Sequence, residues 1–225
     1  MSLGRDIRAA IVAIVVFTVA FGLGYPLLVV GVSQVLFPGA ANGSQVKVAG
    51  KVVGSSLIGQ NFADVVYKNG KPVMMNGEPV TTPDPRYFQS RPSATVPPYN
   101  AAASTFSNLG PNNTATETEI SGNIQTYLGL NKAPSGRLYD PAVRTAAEVP
   151  VDAANSSASG LDPDISVANA KIQAYRLAAV RGLSLAKVDS LISTYTTGRS
   201  LGFFGEPGVN VLQLNLALNR LTGGH

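Results

Sequence analysis

The chain has no cysteine, so it carries no disulfide, no thiol nucleophile and no thiolate metal site. Its single histidine is the terminal residue His225, which excludes a Ser-His-Asp triad and any cluster of imidazole ligands. A G-x-x-x-x-G-K-[ST] phosphate loop and a G-x-S-x-G nucleophile elbow are both missing. The net charge of +4 is modest and its charges are scattered rather than blocked, which argues against nucleic-acid binding as the main task. One further shortage is local: no charged residue lies between Arg8 and Lys47.

That gap holds AAIVAIVVFTVAFGLGYPLLVVGV, residues 9–32. As a helix rising about 1.5 Å per residue it is roughly 36 Å long, enough to cross a hydrocarbon core of about 30 Å with some tilt. A cleaved secretory signal has an apolar region of about 7–15 residues that ends at a small-x-small site. This run is much longer, and GAANGS at 39–44 is a loose match well beyond it, so a retained transmembrane helix over 9–32 is expected. Arg5 and Arg8 precede it, opposed only by Asp6, and the nearest cation beyond it is Lys47. By the positive-inside rule residues 1–8 stay cytoplasmic, 33–45 form a linker, and 46–225 form an extracytoplasmic domain. The small residues Ala20 and Gly24, four apart and followed by Pro26, form a candidate packing face against a partner's helices.

Fifteen prolines and 23 glycines imply many turns and long ordered loops. Alternating Val46, Val48, Val52 and Val53 about Gly50 predict a short strand pair. Asn76-Gly77, between two β-prone arms, predicts a hairpin. Residues 83–113 read as an ordered loop packed by Tyr87, Phe88, Tyr99, Phe106 and Leu109. Thr116 and Glu119 predict a capping box for a helix that buries Ile120, Ile124, Tyr127 and Leu128 and stops at Gly129. Val149 and Val151 suggest a short strand. A second helix from Ser166 to Gly182 is expected to bury Ile172, Tyr175, Leu177 and Ala179, and a third, capped by Ser184, to bury Leu185, Val188, Leu191 and Ile192. The last segment, VNVLQLNLALNRL, fits both periods, but Asn210 as cap and Gly223 as stop favour a helix. The expected fold is one N-terminal transmembrane helix followed by a mixed α/β (α+β) extracytoplasmic domain, with no internal repeat. Asp162 and Asp164 could serve acid–base chemistry, but helix capping in a Pro-containing turn is the blander role. The residues alone describe a membrane-anchored domain built for binding.

Several blocks in register narrow this reading. GSSLIGQNF (54–62), YFQSRPSA (87–94), SNLGPNN (107–113), SGLDPDIS (159–166), QAYRLAAVRGL (173–183), GEPGVNV (205–211) and LNLAL (214–218) together resemble the C chain of the bacterial potassium-transporting Kdp ATPase, the KdpC family. The resemblance covers nearly the whole chain. It implies a non-catalytic accessory subunit beside two partners: a channel-like subunit that binds potassium and a P-type ATPase subunit. No cofactor is expected on this chain; ATP, Mg and potassium are handled by the partners. A family proposal makes the chain a catalytic chaperone that raises the ATPase subunit's affinity for ATP through a glutamine, which here is Gln60. Another has the outer domain cap the potassium mouth of the channel-like subunit.

The flanking arginines bear on the first proposal, because they place Gln60 outside the cytoplasm, where ATP is scarce. Gln60 then reads as a polar residue satisfying backbone groups in the turn from Gly59 to Phe62, while an indirect influence through the span stays open. Tyr87, Phe88, Arg91 and Asn108 are candidate partner contacts. Their blander roles are loop core for the aromatics, loop ordering through backbone carbonyls for Arg91 and an Asx turn for Asn108. Arg176 and Arg181 are candidates to pair with Asp162, Asp164 or Glu206. The chain departs from the pattern at Asp164, where many members have histidine, and at Gly208, where many have arginine. Residues 63–85 read as a surface insertion. The alternative is a free-standing membrane-anchored binding protein or hydrolase.

Overall fold

The computed structural model describes residues 3–75, 77–143 and 145–223. The chain divides into two compact units, one ending at Ser55 and the other beginning at Ser56.

The first unit is dominated by an apolar helix of 34 residues, Leu3–Leu36, none of whose 18-residue apolar window is buried within the protein. It consists of α1 (Leu3–Phe17), a π-helical stretch (Thr18–Gly24) and α2 (Tyr25–Leu36). Apolar side chains all round suit a lipid environment, where backbone groups must be satisfied within the helix itself. The π stretch has a local cause in Pro26, which has no N–H to give and whose ring crowds the carbonyl four residues back. The turn before it widens, and the Tyr25 N–H reaches back five residues to the Ala20 carbonyl. Phe17 and Phe21 stack alongside, with centroids 5.8 Å apart. The helix outruns the expected 9–32 at both ends and takes in Arg5, Asp6 and Arg8. It stops at Phe37, because the residue before Pro38 is driven out of the helical region. A single turn follows, α3 (Pro38–Ala41), and then the expected antiparallel pair β1 (Gln45–Val48) and β2 (Lys51–Ser55), joined through Ala49 and Gly50 with both φ positive.

The second unit opens with three hairpins. β3 (Ala63–Val65) pairs with β8 (Thr81–Pro83), β4 (Tyr67–Lys68) with β5 (Lys71–Pro72), and β6 (Met74–Met75) with β7 (Glu78–Pro79). They meet at three half-buried valines whose backbones close a ring. Val66 N–H donates to Val80 O (2.8 Å), Val80 N–H to Val73 O (2.7 Å) and Val73 N–H to Val66 O (2.8 Å). Contrary to the expectation of no internal repeat, the ring is built on one: YKNGKPV (67–73) is followed at once by MMNGEPV (74–80). Each copy makes one Asn-Gly hairpin and delivers one valine to the ring. Asn69 and Gly70 both have positive φ, as a tight two-residue turn requires. Gly77 does too; Asn76 lies outside the described residues.

The core lies in the C-terminal half. A small antiparallel sheet, in the order β10 (Thr196–Thr197), β11 (Gly208–Asn210), β9 (Asp164–Ser166), sits among α6 (Val167–Arg181), α7 (Leu185–Thr194) and α8 (Val211–Thr222). Ser166, Ser184 and Asn210 cap the three helices through their side chains, and α6 and α8 end on left-handed Gly182 and Gly223. All of these ends were expected. Phe88, Ile165, Leu177, Val188, Ile192, Val209, Leu214 and Leu218 fill the space between, each such side chain contributing about 1.5–3 kcal/mol when fully buried. A satellite cluster of Tyr127, Val149 and Ala153 joins α4 (Thr114–Leu130) to α5 (Val151–Ala154).

Several local expectations are corrected. Helix α4 begins at Thr114 under an Asn113 cap and ends at Leu130, so Thr116 and Glu119 form no capping box; Thr116 Oγ1 instead donates to Gly110 O (3.2 Å). The capping box present is Thr145 with Glu148, on a short 3₁₀ turn. Val149 and Val151 are not a strand, because α5 begins at Val151 directly after Pro150. The buried face of α6 runs through Asn169, Ala170, Gln173, Ala174, Arg176, Leu177 and Ala178, so Ala179 is exposed, while Ile172 and Tyr175 are half-buried. Phe106 and Leu109 do not pack the loop; both are exposed.

Candidate functional site

The loop from Asp84 to Tyr99 carries most of the candidate residues, and α6 and α8 hold it from below. Asn215 of α8 grips Phe88 at both ends, accepting from its N–H (2.9 Å) and donating to its carbonyl (2.9 Å). Gln173 of α6 does the same for Gln89, accepting at 2.7 Å and donating at 3.1 Å. Two amides thus replace the strand partner this loop lacks. Phe88 is fully buried and has no surface to offer a partner. Tyr87 is half-buried, stacked on Phe62 at 5.5 Å and covered by the Arg181 guanidinium at 4.9 Å.

Arg176 sits at the centre of this polar layer, fully buried. It donates to Tyr87 O (2.8 Å), Gln173 Oε1 (2.9 Å) and Asn131 Oδ1 (3.3 Å), and its Nε has no partner. Burial pulls its pKa down to about 10. The expected ion pairs for the two arginines are not made. Arg181 instead donates to Arg86 O, Thr222 Oγ1 and Asn219 Oδ1, while Glu206 pairs with Arg199 and Asp162 with Arg91. Asp84, nearby and buried, is held below the ordinary carboxylate value. Burial works to raise it, but the Arg86 side-chain and backbone hydrogen bonds and the Arg86 and Arg181 charges outweigh that.

Arg91 ties the loop to the turn before β9. Its guanidinium meets Asp162 Oδ2 at 2.9 Å and donates to Ser156 O (3.1 Å) and Asn155 O (3.4 Å). Carbonyl ordering and a carboxylate of the same domain therefore use its fork, and Asp162 is occupied here and by the Asp164 N–H (3.0 Å) rather than capping α6. Above this pair lies Gly59, whose N–H donates to Leu161 O (2.8 Å). A Cβ there would lie 2.7 Å from both the Asp162 carbonyl and the Tyr99 ring, so only glycine fits. Tyr99 is itself locked, donating to Arg91 O (2.7 Å), and burial pushes its hydroxyl up to about 12. The Gln60 carbonyl accepts from Ser90 Oγ (3.3 Å). Asn108 is exposed in a different stretch of loop, and Ala20 and Gly24 belong to the π stretch of the first unit.

Next to Gln60 a cleft of about 390 Å³ opens between α4, α6, the first hairpin and the loop. Asn61, Gln89, Ser90, Asn123, Asn169 and Gln173 supply its polar lining, and among the described residues no lysine, arginine or carboxylate lines it. Neutral amides and hydroxyls suit an uncharged polar group; they give no cation to a triphosphate. The amides that build this layer were missed in the sequence. Asn169 and Gln173, spaced one turn apart on α6, and Asn215, flanked by leucines on α8, were the available signal.

One apolar helix long enough to span a bilayer, together with a small α+β domain that carries an uncharged polar cleft, fits a single-pass membrane protein. The chain belongs to the KdpC family: residues 7–220 match its profile, described as K+-transporting ATPase, c chain. It is similar to the potassium-transporting ATPase KdpC subunit of Methylococcus capsulatus, 45% identical over 95% of this chain and 97% of that one. The same subunit from Herpetosiphon aurantiacus is 44% identical over 95% of each. That from Mycobacterium bovis is 42% identical over 96% of this chain and 99% of its own length.

Proposed function

We propose that the chain is the accessory, non-catalytic subunit of an ATP-driven potassium importer, assembled with a channel-like potassium-binding subunit and a P-type ATPase subunit. Arg5 and Arg8 keep its N-terminus cytoplasmic, and the domain from residue 46 works on the extracytoplasmic side of the inner membrane. The observation that carries this reading is the family match, which extends from residue 7 to residue 220 and so takes in the apolar helix as well as the domain. The span supplies both tether and interface, with Ala20 and Gly24 on the packing face and the widened turn before Pro26 letting a partner helix approach.

The domain contributes to assembly and to the outer mouth of the channel-like subunit. Any effect on ATP turnover passes through the span and the partners, since among the described residues no cationic side chain lines the cleft beside Gln60 to meet phosphates. Purification from native membranes in mild detergent tests the reading. The chain is expected to elute with two large polytopic subunits; elution alone as a stable species identifies it instead as a free-standing anchored protein.

A further inference from the structure

Between β10 and β11 the chain makes a short loop whose tip is apolar and open to solvent. Leu201 is 83% exposed, Phe203 65% and Phe204 58%, and the two phenylalanine rings lie 4.2 Å apart. Single exposed apolar residues are ordinary, but three together on one projection mark a contact surface. None of the three belongs to either core cluster.

The tip is held in one shape. Ser200 and Phe204 exchange both backbone hydrogen bonds at 2.9 Å. Arg199 clamps the base, donating to Gly205 O (2.8 Å) and pairing with Glu206 at 2.6 Å. Gly202 and Gly205 take positive φ, and so does Leu201 at +55°, a conformation costing a leucine roughly 1–2 kcal/mol.

We propose that this tip is an anchor that seats in an uncharged apolar pocket on the extramembrane face of one large partner subunit of the transport complex, an inference that rests on the subunit reading above. Three features select that occupant. The only two charges at the tip, Arg199 and Glu206, cancel each other, so the complementary surface is uncharged. The tip carries no unpaired lysine or arginine of the kind in which interfacial amphipathic helices are rich, and a fluid lipid surface needs no fixed loop shape. At these exposures the two phenylalanines offer about 200–300 Å², and with Leu201 added the tip stays short of the roughly 800 Å² per partner of a stable dimer. A second copy is therefore not held by this tip alone, whereas a partner already tethered through the membrane helix is met at high effective concentration.

The test places a benzophenone amino acid at Phe203 of the full chain in native membranes, with mass spectrometry of the photoproducts. A cross-link to one large subunit at uncharged apolar residues is the expected result. Cross-links only to lipid, only to a second copy, or none in a complex that purifies intact overturn the proposal. Failure of the wild-type chain to co-purify with large subunits instead sinks the subunit reading. In parallel, Leu201→Ser/Phe203→Ser/Phe204→Ser should lower recovery of the detergent-washed complex about fivefold with the domain's unfolding midpoint unchanged. Undiminished recovery of a folded variant refutes the anchor, and if the variant does not fold, the cross-link decides.

Discussion

Asp164 and Gly208 lie against each other across the β9–β11 ladder: a Cβ on Gly208 would stand 3.3 Å from the Asp164 Cβ and 3.4 Å from its Oδ2. Both residues are ones that the resemblance marks as expected departures from its pattern, and their contact makes them one local feature. Gly208 leaves room for the Asp164 side chain, which accepts from Asn210 Nδ2 at 3.1 Å. Burial raises the Asp164 carboxyl above the ordinary 3.8, against the lowering effect of that hydrogen bond. A carboxyl with a raised folded pKa confers its stability when protonated, fully below the unfolded value, and loses it as pH rises through the folded value. Asp164→Asn should therefore reduce the fall in unfolding midpoint between about pH 4 and pH 7; an unchanged pH slope rules this out. Gly208→Ala should cost about 1 kcal/mol by crowding the strand beside it.

Arg176 is the most consequential buried charge. Among the described residues no carboxylate comes within ion-pair distance of it, and its bonds go to neutral oxygens on three segments. Arg176→Met removes the charge together with the unpaired Nε, leaving acceptors unsatisfied, for a net loss of about 1–3 kcal/mol. Arg176→Lys keeps a buried charge and cannot span Tyr87 and Asn131 at once, so the chemically closer change should destabilise more. Thermal unfolding of both variants in detergent checks the order, and a milder effect of lysine than of methionine contradicts it.

The helix ends of the C-terminal half were legible because each is written in adjacent residues: Ser166 before α6, Ser184 before α7, Asn210 before α8, glycine after α6 and α8. The buried face of α6 was not legible, because apolar periodicity cannot anticipate that Asn169, Gln173 and Arg176 face inward to hold a loop. That loop's need for partners is set by residues more than eighty positions away in sequence. The repeat of 67–80 was present but short, and its meaning appears only when three valines close a ring. Arg91 was legible as an ordering residue, but its partner Asp162 was expected to cap a helix or to pair with Arg176 or Arg181, since pairing across 71 positions leaves no local trace.

The ring of Val66, Val73 and Val80 makes the two Asn-Gly arms a detachable appendage. Asp84 N–H donates to Phe62 O (3.0 Å) below the first hairpin, and β3 and β8 pair through their own residues, Ala63 with Pro83 to Val65 with Thr81. Replacing residues 66–80 by Asn-Gly should leave a simple hairpin and shift the unfolding midpoint by no more than about 3 °C, because shortening a surface loop changes closure entropy only slightly. A loss of the folded domain instead assigns the arms a structural role.

Orientation is testable at Ser107, which is exposed in the loop before α4. A cysteine there would be the only thiol in the chain. With the N-terminus cytoplasmic, an impermeant maleimide should label Ser107→Cys on intact cells or spheroplasts. Labelling only after lysis reverses the orientation and returns Gln60 to the side where ATP is abundant.

Gly59 and Gln60 separate position from contact. Gly59→Ala cannot be accommodated, because its Cβ would meet the Asp162 carbonyl and the Tyr99 ring at 2.7 Å; the turn must move, and the unfolding midpoint should fall by several degrees, an overpacking cost of roughly 1–3 kcal/mol. Gln60→Ala leaves the Gln60 carbonyl in place to accept from Ser90 Oγ, so the turn should hold. If Gln60 does not touch nucleotide, the ATP concentration for half-maximal turnover of the assembled pump should match that of the wild type. A rise of more than about threefold, with complex recovery unchanged, would show that the Gln60 side chain acts on ATP affinity; at about 0.65 kcal/mol such a rise is what losing one hydrogen bond produces, and the labelling of Ser107→Cys then tells direct contact on the cytoplasmic side from an influence passed through the span.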